Sequence, residues 1–256
     1  MGFQYLDKLA TKENLQDFLD LADLAAGAGQ SAQNAFELSH RLRNSKPMAC
    51  CLRFLERNPA CMELIKQRKL SGPYDRDELL ALPKGSLGFT YASALDAMGY
   101  DINFFPTPSF FNDLETDADY VNYRVFATHD IHHIVTGFSL DGFGEVGVIS
   151  VSVGQFNHPG FGFLDLVTLL TTWLLGDTPL DDLQSQQESL RSAAFVFGMI
   201  NRGLEMSMEA KPLFPVIWED QMGRDLDELR AELGVKAVKD GPYSLYSNPV
   251  IMAALA

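Results

Sequence analysis

The chain has 256 residues, 46% of them hydrophobic, and a formal net charge of −14, enough apolar material for a full core without covalent staples. That charge repels phosphate backbones, and no basic stripe with interleaved aromatics offsets it, which argues against a nucleic-acid partner. Cys50, Cys51 and Cys61 are odd in number and lie within twelve residues of one another; the pattern predicts free thiols in a reducing, cytoplasmic setting rather than a disulfide framework.

Residues 1–20 set Asp7, Glu13, Asp17 and Asp20 against Lys8 and Lys12, the reverse of an Arg-rich mitochondrial presequence, so the expectation is a bacterial or already trimmed chain. From Thr11 to Ala26, Leu15, Phe18, Leu19, Ala22 and Ala26 recur at helical spacing and predict one core-facing stripe, ended by Gly27 and Gly29. Between Arg41 and Lys69, eight Lys/Arg stand against Glu56 and Glu63. That surplus reads either as solvated helix faces or as a surface for anionic head groups.

Asn58-Pro59 is an N-cap followed by Pro at the first helical position, predicting a helix through Leu70 that Ser71-Gly72-Pro73 breaks. Ser86 to Met98 is a further helix, closed by Gly99. Residues 100–119, with Pro106, Pro108 and four phenylalanines, predict an irregular connection whose aromatics suit a lipid entrance. Asp119 to Gly137 returns to helical spacing. Val146 to Val153 is ambiguous, and its valines locally favour a strand.

Phe161 to Gly176 is the longest apolar stretch, sixteen residues with Asp165 inside it, shorter than the roughly 20 residues of a spanning helix. It reads as a buried helix or as a cavity wall. Gln184 to Met208 is long and amphipathic, and its Met199, Met206 and Met208 suit either a tail pocket or plain core filling. Asp225 to Leu233 ends at Gly234, a C-cap glycine. Helices dominate, and the chain reads as one domain over residues 1–256.

Within the 119–137 helix, His129 and His133 are four residues apart and stack on one face, about 6 Å between Cβ atoms. Asp130 leans into the same space, and Glu145 arrives from the next element past the turn at Gly137 to Gly144. Two imidazoles and two carboxylates suit one divalent ion (zinc, iron, manganese or cobalt), with magnesium usually preferring oxygen alone. A paired-histidine helix face serves equally well as a polar surface or as carboxylate partners. His132 reads as a bystander or an indirect supporter of the site, and His40 and His158 have structural readings. A zinc peptidase would need Glu where Asp130 stands. A phosphate-ester hydrolase survives as an alternative, with Arg124 the nearest cation in sequence to hold a phosphate.

His129-Asp130-x-x-His133, eleven residues, then Glu145, resembles the coenzyme Q biosynthesis family whose yeast and human members organise the ubiquinone-synthesising complex. Tyr123-Arg124, Thr128-His129-Asp130, Gly137-Phe138, Gly144-Glu145, Gly85-Ser86-Leu87-Gly88 and Gly223 to Val235 are similar to the family pattern, over roughly residues 70–235. The resemblance implies an all-α, single-domain helical bundle, with helix replacing the local strand reading of Val146 to Val153. It also implies a homodimer, a metal held by His129, Asp130, His133 and Glu145, and an apolar cavity for a polyprenyl tail. The implied chemistry is removal of the ring carboxylate of a prenylated hydroxybenzoate and hydroxylation of that carbon, a metal-dependent decarboxylase or lyase. The alternative is a non-catalytic isoprenoid-binding scaffold for other quinone-synthesising enzymes, peripheral to a membrane.

Overall fold

The computed structural model describes residues 12–175 and 193–256. Its helices, in chain order, are α1 (Lys12–Gly27), α2 (Ala32–Leu42), α3 (Lys46–Leu55), α4 (Pro59–Gln67), α5 (Arg76–Leu80), α6 (Leu87–Met98), α7 (Asp117–Ala127), α8 (His129–Thr136), α9 (Gly142–Phe156), α10 (Pro159–Leu175), α11 (Ala193–Glu209), α12 (Leu226–Leu233) and α13 (Pro249–Leu255). Among the described residues no strand forms, only two isolated bridges, Ser86 to Asp225 and Phe138 to Ser244. The fold is all-α, and no helix of the described residues is long and apolar enough to cross a membrane.

Helix boundaries follow side-chain chemistry where it was visible. Asn58 accepts from the Ala60 N–H ahead of Pro59, Ser86 accepts from the Phe89 N–H, and Gly99 and Gly234 take the left-handed conformation past the last turns of α6 and α12. α4 stops at Gln67, three residues short of the expected Leu70. Arg68 turns left-handed (φ 51°), and its guanidinium donates to Leu114 O at 2.9 Å and Asp117 Oδ1 at 2.7 Å. The 100–119 connection carries a short 3-10 segment, Pro108–Leu114, with Phe111 fully buried. Of the long amphipathic segment, Gln184 to Ser192 lies outside the described residues and the remainder is α11.

Three expectations change. The stripe on α1 is displaced: Leu15 and Leu19 are 40% and 58% exposed, Ala26 is also exposed, and Phe18, Leu21, Ala22 and Ala25 face inward. Contact with α10, where Phe18 meets Phe163 edge-on at 5.8 Å, selects that face, and local spacing cannot. The 119–137 segment is two helices, because Thr128 leaves helical geometry (φ −113°, ψ 2°) while its Oγ1 donates to Arg124 O at 2.9 Å. Finally, Val146 to Val153 is the middle of α9. Its valines pack on both sides, and close approach to α11 requires a helix surface of small residues: a Cβ on Gly203 would lie 2.3 Å from Gly147 O.

Two apolar clusters result. One gathers residues of α5, α6, α8, α11, α12 and α13 around Leu87, Ile131, Ile134 and Trp218; the other joins α1 to α4 with α7 and α10 around Leu38, Tyr120, Phe126 and Phe161. α9 feeds both, Val148 and Val151 to the first and Ile149 and Phe156 to the second. The break at Thr128 lies where the chain passes from one cluster to the other, so α8 begins at the seam. At its far end, the Arg230 guanidinium of α12 donates to Val135 O (2.9 Å) and Ile134 O (2.6 Å), satisfying carbonyls that a helix C-terminus leaves open.

Asp165 of α10 is buried against α9, where Ser150 Oγ donates to its Oδ2 at 2.8 Å and its Oδ1 has no partner. Burial lifts this carboxyl to about 7. A raised carboxyl costs nothing below its unfolded value near 4; the cost grows as pH climbs from there to about 7 and is complete above it. Asp165→Asn removes that cost, so its stability relative to the unaltered chain is expected to rise between pH 5 and pH 8, by up to about 4 kcal/mol at the high end. Thermal melts at the two pH values check this, and parallel pH dependences would overturn it.

Candidate metal centre

α8 is short, buried and pinned at both ends, and it presents His129 and His133 one turn apart. α9 begins at Asp141, whose Oδ1 accepts from Phe143 N and Gly144 N, and this cap sets Glu145 in the first turn, where the helix dipole favours a negative charge. His129 Nε2 lies 2.8 Å from Glu145 Oε2, His133 Nε2 lies 3.4 Å from Glu145 Oε1, and the two Nε2 atoms are 3.1 Å apart. All three donor atoms fall within 4.8 Å of one another.

His133 Nδ1 approaches Phe138 O at 3.3 Å. Only an N–H can donate to a carbonyl, so the neutral ring keeps its proton on Nδ1 and turns the Nε2 lone pair toward His129 and Glu145. A lone pair, a second imidazole nitrogen and a carboxylate then converge on one point, an arrangement that a shared proton or a cation must neutralise. The donor chemistry therefore fits a divalent ion.

The charges agree with the geometry. Burial is the largest single influence on His129 and disfavours its proton, but the charge and hydrogen bond of Glu145, joined by the charge of Asp130, together hold the imidazole above its ordinary value. Burial alone would raise Glu145, yet His129 and His133 hold it well below the usual carboxylate range. Asp130 goes the other way: burial raises it, against the pull of both histidines.

Sequence reasoning named four donors, and the structure brings three of them together. Asp130 is not in that trio; it sits beside His129 in the first turn of α8, on the wall of a cavity of about 740 Å³ that His129 and Glu145 also line. The side chains of His133, His129 and Glu145 are 0%, 15% and 45% exposed, so the trio runs from the core out to that space. The remaining walls are the α1–α2 turn around Ala25, Gly29 and Ala32, the loop residues Tyr100, Asp101 and Phe104, and Phe161, Leu164, Val167 and Thr171 of α10. Of the four phenylalanines in the 100–119 connection, Phe104 is the one on this wall; the part played by the α1–α2 turn left no local signal. The long apolar stretch is both wall and surface, because Leu166, Trp173 and Leu174 of α10 are at least half exposed.

Other candidates resolve structurally. His132 is buried with its ring 5.6 Å from that of Trp218, and burial lowers it to about 3. His158 is also buried; its Nε2 donates to Asn122 Oδ1 at 3.0 Å, holding the α9–α10 turn to α7. His40 packs between Phe110 and Phe111. Met199 and Met206 are core filling, and Met208 is 77% exposed. Arg124 is sealed inside, with its three guanidinium nitrogens donating to Phe214 O, Ser71 Oγ and Val216 O, which removes it as a phosphate holder at the ion. In the basic segment, Arg41 pairs with Glu37 and Arg68 with Asp117.

Two imidazoles on one helical turn and a carboxylate from the next helix, grouped at the wall of a cavity, define an all-α protein with a donor trio that could hold a metal ion. Residues 44–239 match the family model described as coenzyme Q (ubiquinone) biosynthesis protein Coq4. The chain belongs to that family. It is 33% identical over 175 residues to the mitochondrial ubiquinone biosynthesis protein COQ4 of Clavispora lusitaniae, covering 68% of this chain and 50% of the relative. With the COQ4 protein of Coccidioides immitis it shares 29% identity over 221 residues, 85% of this chain and 68% of that one. The chain thus spans about half the length of the first of these relatives. Its fold is similar to the crystal structure of a candidate ubiquinone biosynthesis protein from Nostoc punctiforme, with TM-score 0.68 and 24% identity over 87% of this chain and 97% of the other.

Proposed function

We propose that this chain is a divalent-metal-binding, prenyl-lipid-binding protein of isoprenoid quinone metabolism that decarboxylates and hydroxylates a prenylated hydroxybenzoate. The observation that carries the reading is the convergence of His129, His133 and Glu145 donor atoms at the wall of a cavity whose size suits a small-molecule ligand, for which about 300–1,000 Å³ is usual. His129, His133 and Glu145 hold the ion, with Asp130 as a fourth donor. The bound ion supplies Lewis-acid chemistry or, if it is iron, oxygen chemistry.

The protein's own part is positional. Phe161 lies 5.8 Å from the His129 ring and, with Phe126 and Phe36, offers aromatic faces for the substrate ring. The tail lies along the α10 wall, each buried methylene contributing about 0.8 kcal/mol. Asp130, raised by burial against the pull of both histidines, lines the same cavity beside His129. On this reading the partners are a prenylated quinone precursor, other quinone-synthesising enzymes and a second copy of the chain.

One observation favours the non-catalytic scaffold instead. The outward face of α10 exposes Leu166 (50%), Trp173 (69%) and Leu174 (57%), large apolar side chains suited to contact with a membrane or another protein. Turnover separates the two. Metal-loaded protein incubated in air with a prenylated 4-hydroxybenzoate is expected to release carbon dioxide and a ring-hydroxylated product, and Glu145→Gln is expected to abolish both. Stoichiometric binding with no product under any of zinc, iron, cobalt, manganese or magnesium would leave the scaffold.

A further inference from the structure

Thr136, Gly137, Phe138 and Ser139 carry the chain from α8 into the turn that leads to α9, and each has a backbone group committed elsewhere in the fold. Three of these commitments are to one distant segment: Val238 N donates to Thr136 O, Leu245 N to Gly137 O and Ser139 N to Tyr243 O, each at 2.8 Å, with Phe138 opposite Ser244 in an antiparallel bridge. The fourth is the Phe138 carbonyl, which accepts from His133 Nδ1 at 3.3 Å. The same turn governs the other arm of the donor trio, because Ser139 Oγ donates at 2.8 Å to Asp141 Oδ1, the oxygen that caps α9 ahead of Glu145. Packing around the turn is close: a Cβ on Gly137 would lie 2.5 Å from Val238 O, and one on Gly147 2.4 Å from the Phe138 ring.

Resting on the metal-binding reading above, we propose that residues 238–245 are a positioning strap for the donor trio, so that docking of this segment and occupancy of the metal site stabilise each other. The strap supplies no donor atom itself. It holds the 136–139 turn, and the turn fixes both the His133 ring, through the Phe138 carbonyl, and the start of α9 that carries Glu145. Two residues hold the strap in place. Ser244 is buried, its Oγ donating to Val238 O at 3.0 Å and accepting from Tyr246 N at 3.2 Å, and the fully buried Leu245 anchors the segment in the core. An ion that needs His133 and Glu145 at one separation favours the docked strap, and by thermodynamic reciprocity the docked strap favours the ion. Anything that lifts this segment from the turn loosens the site without touching a ligand.

Hydrogen exchange on the unaltered chain, stripped with EDTA and then reloaded with Zn²⁺, reads the coupling without a variant. The Val238 and Leu245 amides are expected to slow at least about tenfold on loading. The Leu87 and Gly88 amides, which donate to Arg224 O and Met222 O at a different joint of the same core, are expected to change less than about twofold. The reciprocal arm is Ser244→Ala, which removes a hydroxyl of the strap and no group of the turn. Its Zn²⁺ affinity is expected to fall at least about threefold, and the visible absorption of bound Co²⁺ to shift, since that spectrum follows ligand geometry rather than stability. Ser45→Ala deletes a comparable cap hydroxyl on α3 and should leave both readings unchanged. Strap amides that slow no more than those of Leu87 and Gly88, or unchanged Zn²⁺ affinity in Ser244→Ala, would overturn the proposal and leave the metal-binding reading standing. No Zn²⁺ bound by the unaltered chain would remove that reading and the role of the strap with it.

Discussion

His129→Ala/His133→Ala is expected to purify with less than about a tenth of the metal carried by the unaltered chain, which should hold close to one equivalent. Both imidazoles are among the three converging donors, and loss of even a supporting residue around a metal typically costs 10–100-fold in affinity; loss of two donors costs more. Elemental analysis of protein purified without added metal reads the result. Because His133 is fully buried, its truncation also leaves a cavity of its own, and a fold control is needed. Adding excess metal to the stripped proteins supplies one. The unaltered chain should gain thermal stability, about 2.7 kcal/mol at 100 times the dissociation constant, and the folded variant should gain none. Iron or cobalt in the unaltered chain would favour the oxidative chemistry, and zinc or magnesium would weaken it. Equal metal in both proteins would move the binding site elsewhere, and no metal in either, even after reconstitution, would sink the central claim.

Gly144→Ala is expected to cost about 3 kcal/mol or more of stability and to weaken metal binding at the same time. A Cβ there would lie 1.9 Å from Ser139 O and 2.6 Å from Ser139 C and N. These are backbone atoms that cannot rotate away, so the start of α9 must move. That start carries Glu145, and moving it separates the carboxylate from His129 and His133. Gly142→Ala, on the same turn, meets nothing within 4 Å, and Gly142 does not occupy the left-handed region; it is expected to be neutral or slightly stabilising. Chemical denaturation with a metal titration on both variants makes the comparison. If Gly144→Ala lost stability yet bound metal normally, Glu145 would not depend on this turn for its position.

The donor set was legible because chemistry and periodicity coincide in it. His129 and His133 share a face in any helix, and the turn chemistry of Asp141-Gly142-Phe143-Gly144 before Glu145 announces a second element close by. Asp130 shows the limit of the same reasoning. Its position next to His129 says it is near, but in a helix adjacent side chains point about 100° apart, and which of them joins the trio depends on how α9 packs. The α1 stripe failed in a related way. Leu15 and Leu19 match the helical period as well as Leu21 and Ala25 do, and only the α10 partner distinguishes the faces.

Sequence by itself determined that helices dominate, the N-cap at Asn58, the closing glycines Gly99 and Gly234, and the candidate donors His129, His133 and Glu145 that the fold brings together, because each follows from local hydrogen bonding or side-chain chemistry. Tertiary structure decided the rest. It broke the 119–137 segment at Thr128, made a helix of strand-forming valines because Gly147 and Gly203 must touch, buried Arg124 as a structural cation, and grouped Asp101, Asp130, Asp141 and Glu145 around one cavity. These outcomes depend on contacts between segments far apart in the chain, where packing and burial outweigh local preference, and such contacts leave no periodic trace in a single sequence.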